Sequence, residues 1–232
     1  MPKVAIVEWR DGLLPEGTEW DRIKRQVGEV GPDILVTNEM PFGHWLAKAK
    51  DFDREKAMKW VHLHEEGLAA FEGLGVPSIV SSRPVMGEEQ LANEAFALED
   101  GRYTLLHHKH LFPAEPGWEE ADWFRPYVPG FETALVGSLR IGVLLCTELM
   151  FTNHARELGR QGAELIVTPR AAGENQFLWR TAAAMAAVSA GAYVATSNRW
   201  QPRSSQDRLF GGGGLPLIHL ANLLRQHLKL SR

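Results

Sequence analysis

The chain has 232 residues, one cysteine, 44% hydrophobic and 23% charged residues, and a net charge of −4 from 29 acidic and 25 basic side chains. That is an ordinary globular composition. It lacks a basic stripe for nucleic acid, an apolar run of membrane-span length, and the cysteines of an intrachain disulfide framework. The N-terminus runs straight into a strand pattern without signal-peptide architecture, so the expected location is the cytoplasm, with a reduced thiol.

In chain order, Val4 to Glu8 is a short apolar run and predicts a buried strand. Thr18 is placed to cap a helix from Glu19 to Val30, with Trp20, Ile23 and Val27 on one face and Gly31-Pro32 ending it. Asp33 to Asn38 predicts a second buried strand, with Glu39 just beyond it and a loop from Met40 to Trp45. A long helix is expected from Phe52 to Phe71, capped by Asp51 or Asp53. Pro77 to Val85 is a third strand. Asn93 to Leu98 and Tyr103 to His108 form a hairpin around Asp100-Gly101. A loop rich in acids and aromatics runs from Ala114 to Gly130. Glu132 to Val136 and Leu139 to Leu145 flank Gly137-Ser138 as a second hairpin-like pair. Helix Asn153 to Gly162, strand Glu164 to Thr168, Ala-rich helix Asn175 to Ala190 and strand Ala192 to Ser197 follow. The alternation, with inserted hairpins and no internal repeat, predicts a layered α/β protein.

Chemistry concentrates near strand ends. Cys146 stands where the apolar run Ile141 to Leu145 meets a helical pattern, and helix N-terminal N–H groups favour a thiolate. Free cysteine is also among the most buried residue types, so core packing is the rival reading. Glu39 and Lys109 each read alone as a solvated loop acid and a surface lysine. Together with Cys146 they supply what acyl transfer to a thiol needs: nucleophile, base and cation.

Three ordered stretches then carry a resemblance to the nitrilase superfamily, the carbon–nitrogen hydrolases with a Glu-Lys-Cys triad. Ile34 to Trp45 resembles its glutamate motif, Tyr103 to Pro113 its lysine motif, and Arg140 to Phe151, continuing to Pro169, its cysteine motif. The spacings agree, about 70 residues from Glu39 to Lys109 and under 40 from Lys109 to Cys146. The resemblance implies a four-layer-forming α-β-β-α sandwich of the nitrilase type over residues 1–214, followed by an atypical tail, 215–232, truncated or altered relative to the family. It implies that Cys146 attacks an amide, carbamoyl or nitrile carbon to form a thioester. Glu39 then moves the protons, and Lys109 with the N–H of Thr147 holds the oxyanion. No metal or organic cofactor is implied. Glu120 fits the family's second glutamate, with Glu119 beside it as the alternative. Glu148 is expected either to brace the elbow or to face the pocket. A homodimer or larger homo-oligomer is expected, with a small-molecule substrate and neither nucleic acid nor membrane as partner.

Departures from the family pattern shape the rest. Thr147 stands where true nitrilases usually carry Trp, which favours amide or carbamoyl substrates over nitriles. Residues 186–191 are all small where many members are charged. Beyond the glycine run at 211–214, the tail does not read as the usual strand pair, and Leu220, Leu223, Leu224 and Leu228 suggest an amphipathic helix instead. His107, His108 and His110 invite a metal reading but lack a carboxylate or cysteine at ligand spacing. Arg170 and Arg199 read as surface residues, with carboxylate binding as the alternative. The rival functions are a nitrilase, an acyltransferase, and a non-catalytic binding or scaffold protein with a vestigial triad.

Overall fold

The computed structural model describes residues 2–205 and 209–218, the last three through their backbone only. The elements are β1 (Val4–Ile6), α1 (Gly17–Val30), β2 (Ile34–Val36), α2 (Arg54–Glu72), β3 (Ser78–Met86), β4 (Leu91–Glu99), β5 (Arg102–His108), α3 (Glu120–Trp123), β6 (Thr133–Val136), β7 (Leu139–Val143), α4 (Thr152–Arg160), β8 (Leu165–Thr168), α5 (Gln176–Ala190), β9 (Tyr193–Thr196) and β10 (Leu215–Ile218). A 3₁₀ turn, Cys146–Met150, precedes α4.

The strands form two five-stranded sheets, ordered β1-β2-β3-β4-β5 and β10-β9-β8-β7-β6. In each, three neighbouring strands run parallel (β1, β2, β3 and β7, β8, β9), and antiparallel strands complete the sheet. Side chains alternate across a strand, and that period sorts residues into layers. Ile34 and Val36 of β2 meet Ile141, Val143, Leu165 and Val167 of the second sheet in a core between the sheets. Leu35, between them, turns outward to Trp20, Ile23 and Val27 of α1 and Phe71 of α2. On the opposite outer face, Ile166 and Val194 pack against Leu158 of α4 and the alanines of α5. The order is therefore helix, sheet, sheet, helix. A fourth cluster, including Met40, Trp45, Trp60, Trp123 and Phe210, fills one end.

Local departures from the sequence expectations have physical causes. Helix α1 starts at Gly17, and its N-cap, Glu16, makes no side-chain cap bond, so Thr18 lies inside the helix rather than capping it. Asp53 caps α2 by accepting the Lys56 N–H at 3.0 Å. The Asp100-Gly101 hairpin forms as read, with φ of +47° and +79°. After the glycine run, Leu215–Ile218 is a strand antiparallel to β9, where no strand was expected. The helix expected over Leu220 to Leu228 lies outside the described residues. Arg170 and Arg199 are not surface residues: both are 0% exposed.

Candidate active site

The site lies where the ends of β2, β5, β7 and β8 converge. Glu39 follows β2, and its N–H donates to Arg170 O at 3.2 Å just beyond β8. Arg199 anchors the loop that leaves Glu39. It is ion-paired to Asp11 at 2.6 Å and donates to Gly43 O at 2.8 Å, to Glu39 O at 3.3 Å and to Met40 O.

Lys109 reaches the site through a β-bulge. Ala95 pairs with His107 and Phe96 with Leu105, so Leu106 is an extra residue in β5. Tyr103 belongs to the core beneath α1 and α2, whereas Leu106 turns into the core between the sheets. Past the bulge, His107 reaches Glu148 near the second sheet and Lys109 reaches Glu39, while His108 bonds Glu94 of β4. Re-aiming side chains is what a bulge does.

Cys146 begins the 3₁₀ turn with φ of +48°, the left-handed region that a residue with a Cβ rarely occupies. Two anchors hold it there. Its N–H donates to Pro169 O at 3.1 Å, and the preceding Leu145 N–H donates to the Glu148 carboxylate at 2.8 Å. The thiol faces Ala171 O at 3.7 Å.

The three residues read from the sequence converge. Lys109 Nζ donates to Glu39 Oε1 at 3.0 Å and to Glu120 Oε2 at 2.5 Å, and all three side chains are fully buried. Of the adjacent pair, it is Glu120 that reaches the lysine. Asn93 of β4 donates to Glu39 Oε1 at 2.7 Å and Ala171 N to Oε2 at 3.0 Å; the sequence reading named neither. Both are contributed by residue types with no intrinsic reactivity, so no sequence signal marks them. Glu148 does not face the pocket. It is spent on the N–H groups of Leu145 and His110 and on His107. Thr147 Oγ1 donates to Leu111 O at 2.6 Å. As an early residue of the turn, its N–H has no intrahelical acceptor.

Two carboxyls share one buried ammonium. Burial pushes the Glu120 carboxyl up to about 7 against the opposing pull of Lys109, with the Glu39 charge adding to the rise. Burial works against the charged form of Lys109, but Glu120 and Glu39 outweigh it and hold the ammonium well above its ordinary value. Burial, then the Glu39 charge, push the Cys146 thiol up, against Lys109. The expectation that a helix N-terminus favours a resting thiolate is therefore not met. A five-residue 3₁₀ turn does not offset the burial, and the thiol needs a base at the moment of reaction.

Cys146 and Glu120 open on a cavity of about 230 Å³ walled by Pro113, Trp118, Ala171, Leu178 and Trp179. Glu120 Oε1 is buried without a hydrogen-bond partner among the described residues. The loops 114–130 and 170–176 both line the cavity, whereas the loop 40–45 does not. Arg170 stacks on the Trp179 ring at 4.5 Å, behind the cavity wall.

A helix–sheet–sheet–helix sandwich with a buried glutamate, lysine and cysteine at its strand ends defines the nitrilase-type fold class. The same fold occurs in the carbon–nitrogen hydrolase of Helicobacter pylori G27 (TM-score 0.75, 18% identity, 92% of this chain and 80% of that one). It also occurs in an amidase from Nesterenkonia sp. (TM-score 0.74, 20% identity, 98% and 96%). The carbon–nitrogen hydrolase family pattern matches residues 76–214, more than half of the chain, and the chain belongs to that family. Among curated relatives, N-carbamoylputrescine amidase of Arabidopsis thaliana is 27% identical over 160 residues, 67% of this chain and 53% of that protein. Citrullinase of Francisella tularensis subsp. tularensis is 25% identical over 187 residues, 76% and 63%. The chain thus spans about half the length of the first of these relatives.

Proposed function

We propose that the protein hydrolyses the C–N bond of a small linear amide or N-carbamoyl compound through a thioester on Cys146, releasing ammonia or an amine. The observation that carries this reading is the pairing of Lys109 with both Glu39 and Glu120, directly behind a cavity that Glu120 and Cys146 line together. Glu39 takes the thiol proton as sulfur bonds to the substrate carbon, and the carbonyl electron pair moves to oxygen. Lys109 and the Thr147 N–H stabilise that oxyanion, a role usually worth several kcal/mol of barrier. Collapse expels the amine, which leaves with the proton from Glu39. Water, deprotonated by Glu39, then attacks the thioester carbon; the C–S bond breaks, the acid is freed, and the departing sulfur takes the proton back from Glu39. The unpartnered Oε1 of Glu120 accepts a substrate N–H.

The names of the relatives support an amide or carbamoyl substrate: two curated proteins are an N-carbamoylputrescine amidase and a citrullinase, and the Nesterenkonia amidase was captured with butyramide. Nitrile hydrolysis is the second reading. Thr147, in place of tryptophan, tells against it. The catalytic unit is proposed to occupy residues 1–214, with the tail 215–232 adding β10 to the second sheet. A homo-oligomer is part of the proposal, since α5 presents Phe177, Met185 and Val188 outward, Phe177 being 82% exposed. No described helix is long and apolar enough to cross a membrane. The cytoplasm, which keeps a lone thiol reduced, is the proposed location.

The test is ammonia release from a panel of aliphatic amides, N-carbamoyl amines, N-carbamoyl amino acids and nitriles, using the protein and Cys146→Ala. Turnover of an amide or carbamoyl compound that Cys146→Ala abolishes, with its circular dichroism unchanged, is expected. Turnover that survives the substitution overturns the mechanism. Absence of turnover together with slow iodoacetamide labelling of Cys146 favours a binding protein.

A further inference from the structure

Glu148 is fully buried, and its carboxylate accepts three hydrogen bonds. Leu145 N–H donates to Oε2 at 2.8 Å, His107 Nε2 faces the same oxygen at 2.9 Å, and His110 N–H donates to Oε1 at 2.7 Å. Leu145 immediately precedes Cys146, and His110 immediately follows Lys109. One carboxylate therefore sets the separation between the nucleophile's elbow and the lysine's strand.

His107 is what keeps that carboxylate in place. Its side chain is 2% exposed. Its second ring nitrogen, Nδ1, faces Gly130 O at 3.2 Å. Glu148 and a carbonyl can only accept, so both ring nitrogens must carry hydrogen for both bonds to form. Phe131 lies 4.7 Å from the ring centroid and His110 5.4 Å, which fixes its orientation. The charged or titratable groups around it are Glu148 on the 3₁₀ turn, His110 just beyond its own strand, and His154 of α4, stacked on the far side of Phe131. Burial works against the Glu148 charge, but the charge and hydrogen bond of His107, with the two backbone N–H groups, hold its carboxyl below the usual range.

We infer that His107, bonded to Glu148 and facing Gly130 O, is a positioning residue that holds Cys146 in register with Lys109. It touches neither substrate nor reacting atoms. Its contribution to turnover rests on the hydrolytic reading above; its contribution to the placement of the thiol does not. A side chain without two N–H donors on opposite edges leaves one acceptor unpaired and lets the Glu148 carboxylate turn. Misplacing a reacting group by about 1 Å costs on the order of 100-fold in rate.

The experiment compares H107Q, H107N, E148Q and H107Q/E148Q for thermal melting, kcat and KM, and for the rate at which iodoacetamide alkylates Cys146. Expected for the histidine variants is a cooperative melt and KM within about threefold of the parent. With these go a kcat lower by about 10- to 100-fold and a parallel fall in alkylation rate. The double variant is expected to lose little beyond E148Q alone, because the two residues act as a unit. Parental kcat and alkylation rate in folded H107Q or H107N overturns the inference. So does a raised KM at constant kcat, or losses that multiply in the double variant. If the parent turns over none of the substrates, the hydrolytic reading fails, and the alkylation rates alone still decide the role of His107.

Discussion

Replacing Arg199 with methionine keeps an unbranched apolar stem but removes a buried cation. Three kinds of contact go with it. Asp11, 9% exposed, loses its 2.6 Å ion pair, although it keeps the N–H of Trp45 at 3.0 Å and His44 Nδ1 at 2.8 Å. Met40 O and Glu39 O lose a charged donor, while Gly43 O keeps the Gly12 N–H at 3.2 Å. The guanidinium also leaves the faces of Trp45 and Phe210, at 5.7 and 5.5 Å. Removing one partner of a buried pair costs about 3–5 kcal/mol, because the other charge stays buried and uncompensated. An orphaned buried carbonyl costs about 1–3 kcal/mol. These contributions overlap, and the hydrogen bonds Asp11 keeps soften the first. A loss of about 4 kcal/mol is therefore expected in urea unfolding at neutral pH. The double variant Asp11→Asn/Arg199→Met is expected to recover a large part of it, since the stranded charge is gone. A loss below about 1 kcal/mol, or no recovery in the double variant, would refute the assignment of Arg199 as the anchor of the Glu39 loop.

Two further outcomes follow from burial and close packing. Burial depresses the pKa of His64 from 6.5 to about 3. The unfolded chain therefore takes up a proton below pH 6.5 that the folded protein refuses, so stability is full above pH 6.5 and lost as pH falls toward 3. The slope is about 1.4 kcal/mol per pH unit, so unfolding free energies from urea titrations at pH 7.5 and pH 5 should differ by about 2 kcal/mol from this residue; a difference that persists in His64→Gln assigns the effect elsewhere. Gly159→Ala in α4 would drive a Cβ into the backbone of Ala190 at the end of α5, which cannot rotate away. It should cost about 1–3 kcal/mol in the same assay, and a neutral result would mean that the two helices separate freely.

What the sequence disclosed and what it hid divide along chain separation. Glu39 and Cys146 sit just past short apolar runs, so strand period and strand end are local signals. The Asp100-Gly101 turn is legible for the same reason, since its chemistry lies in two adjacent residues. Arg199 read as a surface residue because its partner, Asp11, is 188 positions away and only the folded sheets bring them together. His107 carried no signal beyond a histidine cluster, because Glu148 lies 41 positions on and the bulge at Leu106 that aims His107 arises from pairing with β4. Ala171 contributes through its backbone, which no side-chain pattern reports. The strand Leu215–Ile218 was missed because Pro216 breaks the usual strand signature, and its pairing with β9 comes from the neighbour rather than from its own propensity.

The hydrogen bonds to Glu39 are unevenly divided. Oε1 receives both the Asn93 amide and the Lys109 ammonium, which fill its two lone pairs; Oε2 receives the Ala171 N–H, and no other donor to it occurs among the described residues. Ala171 also turns its carbonyl toward Sγ. Proton traffic in the proposed reaction is thereby confined to one port, the remaining lone pair of Oε2. The hydrogen taken from sulfur waits there until the nitrogen departs with it, and the port is then empty for one hydrogen of the incoming water. Amine exit and water entry consequently share a single approach and occur in strict succession. An amine that lingers would hold the acyl group on sulfur, so a slow-leaving product should act as an inhibitor of deacylation.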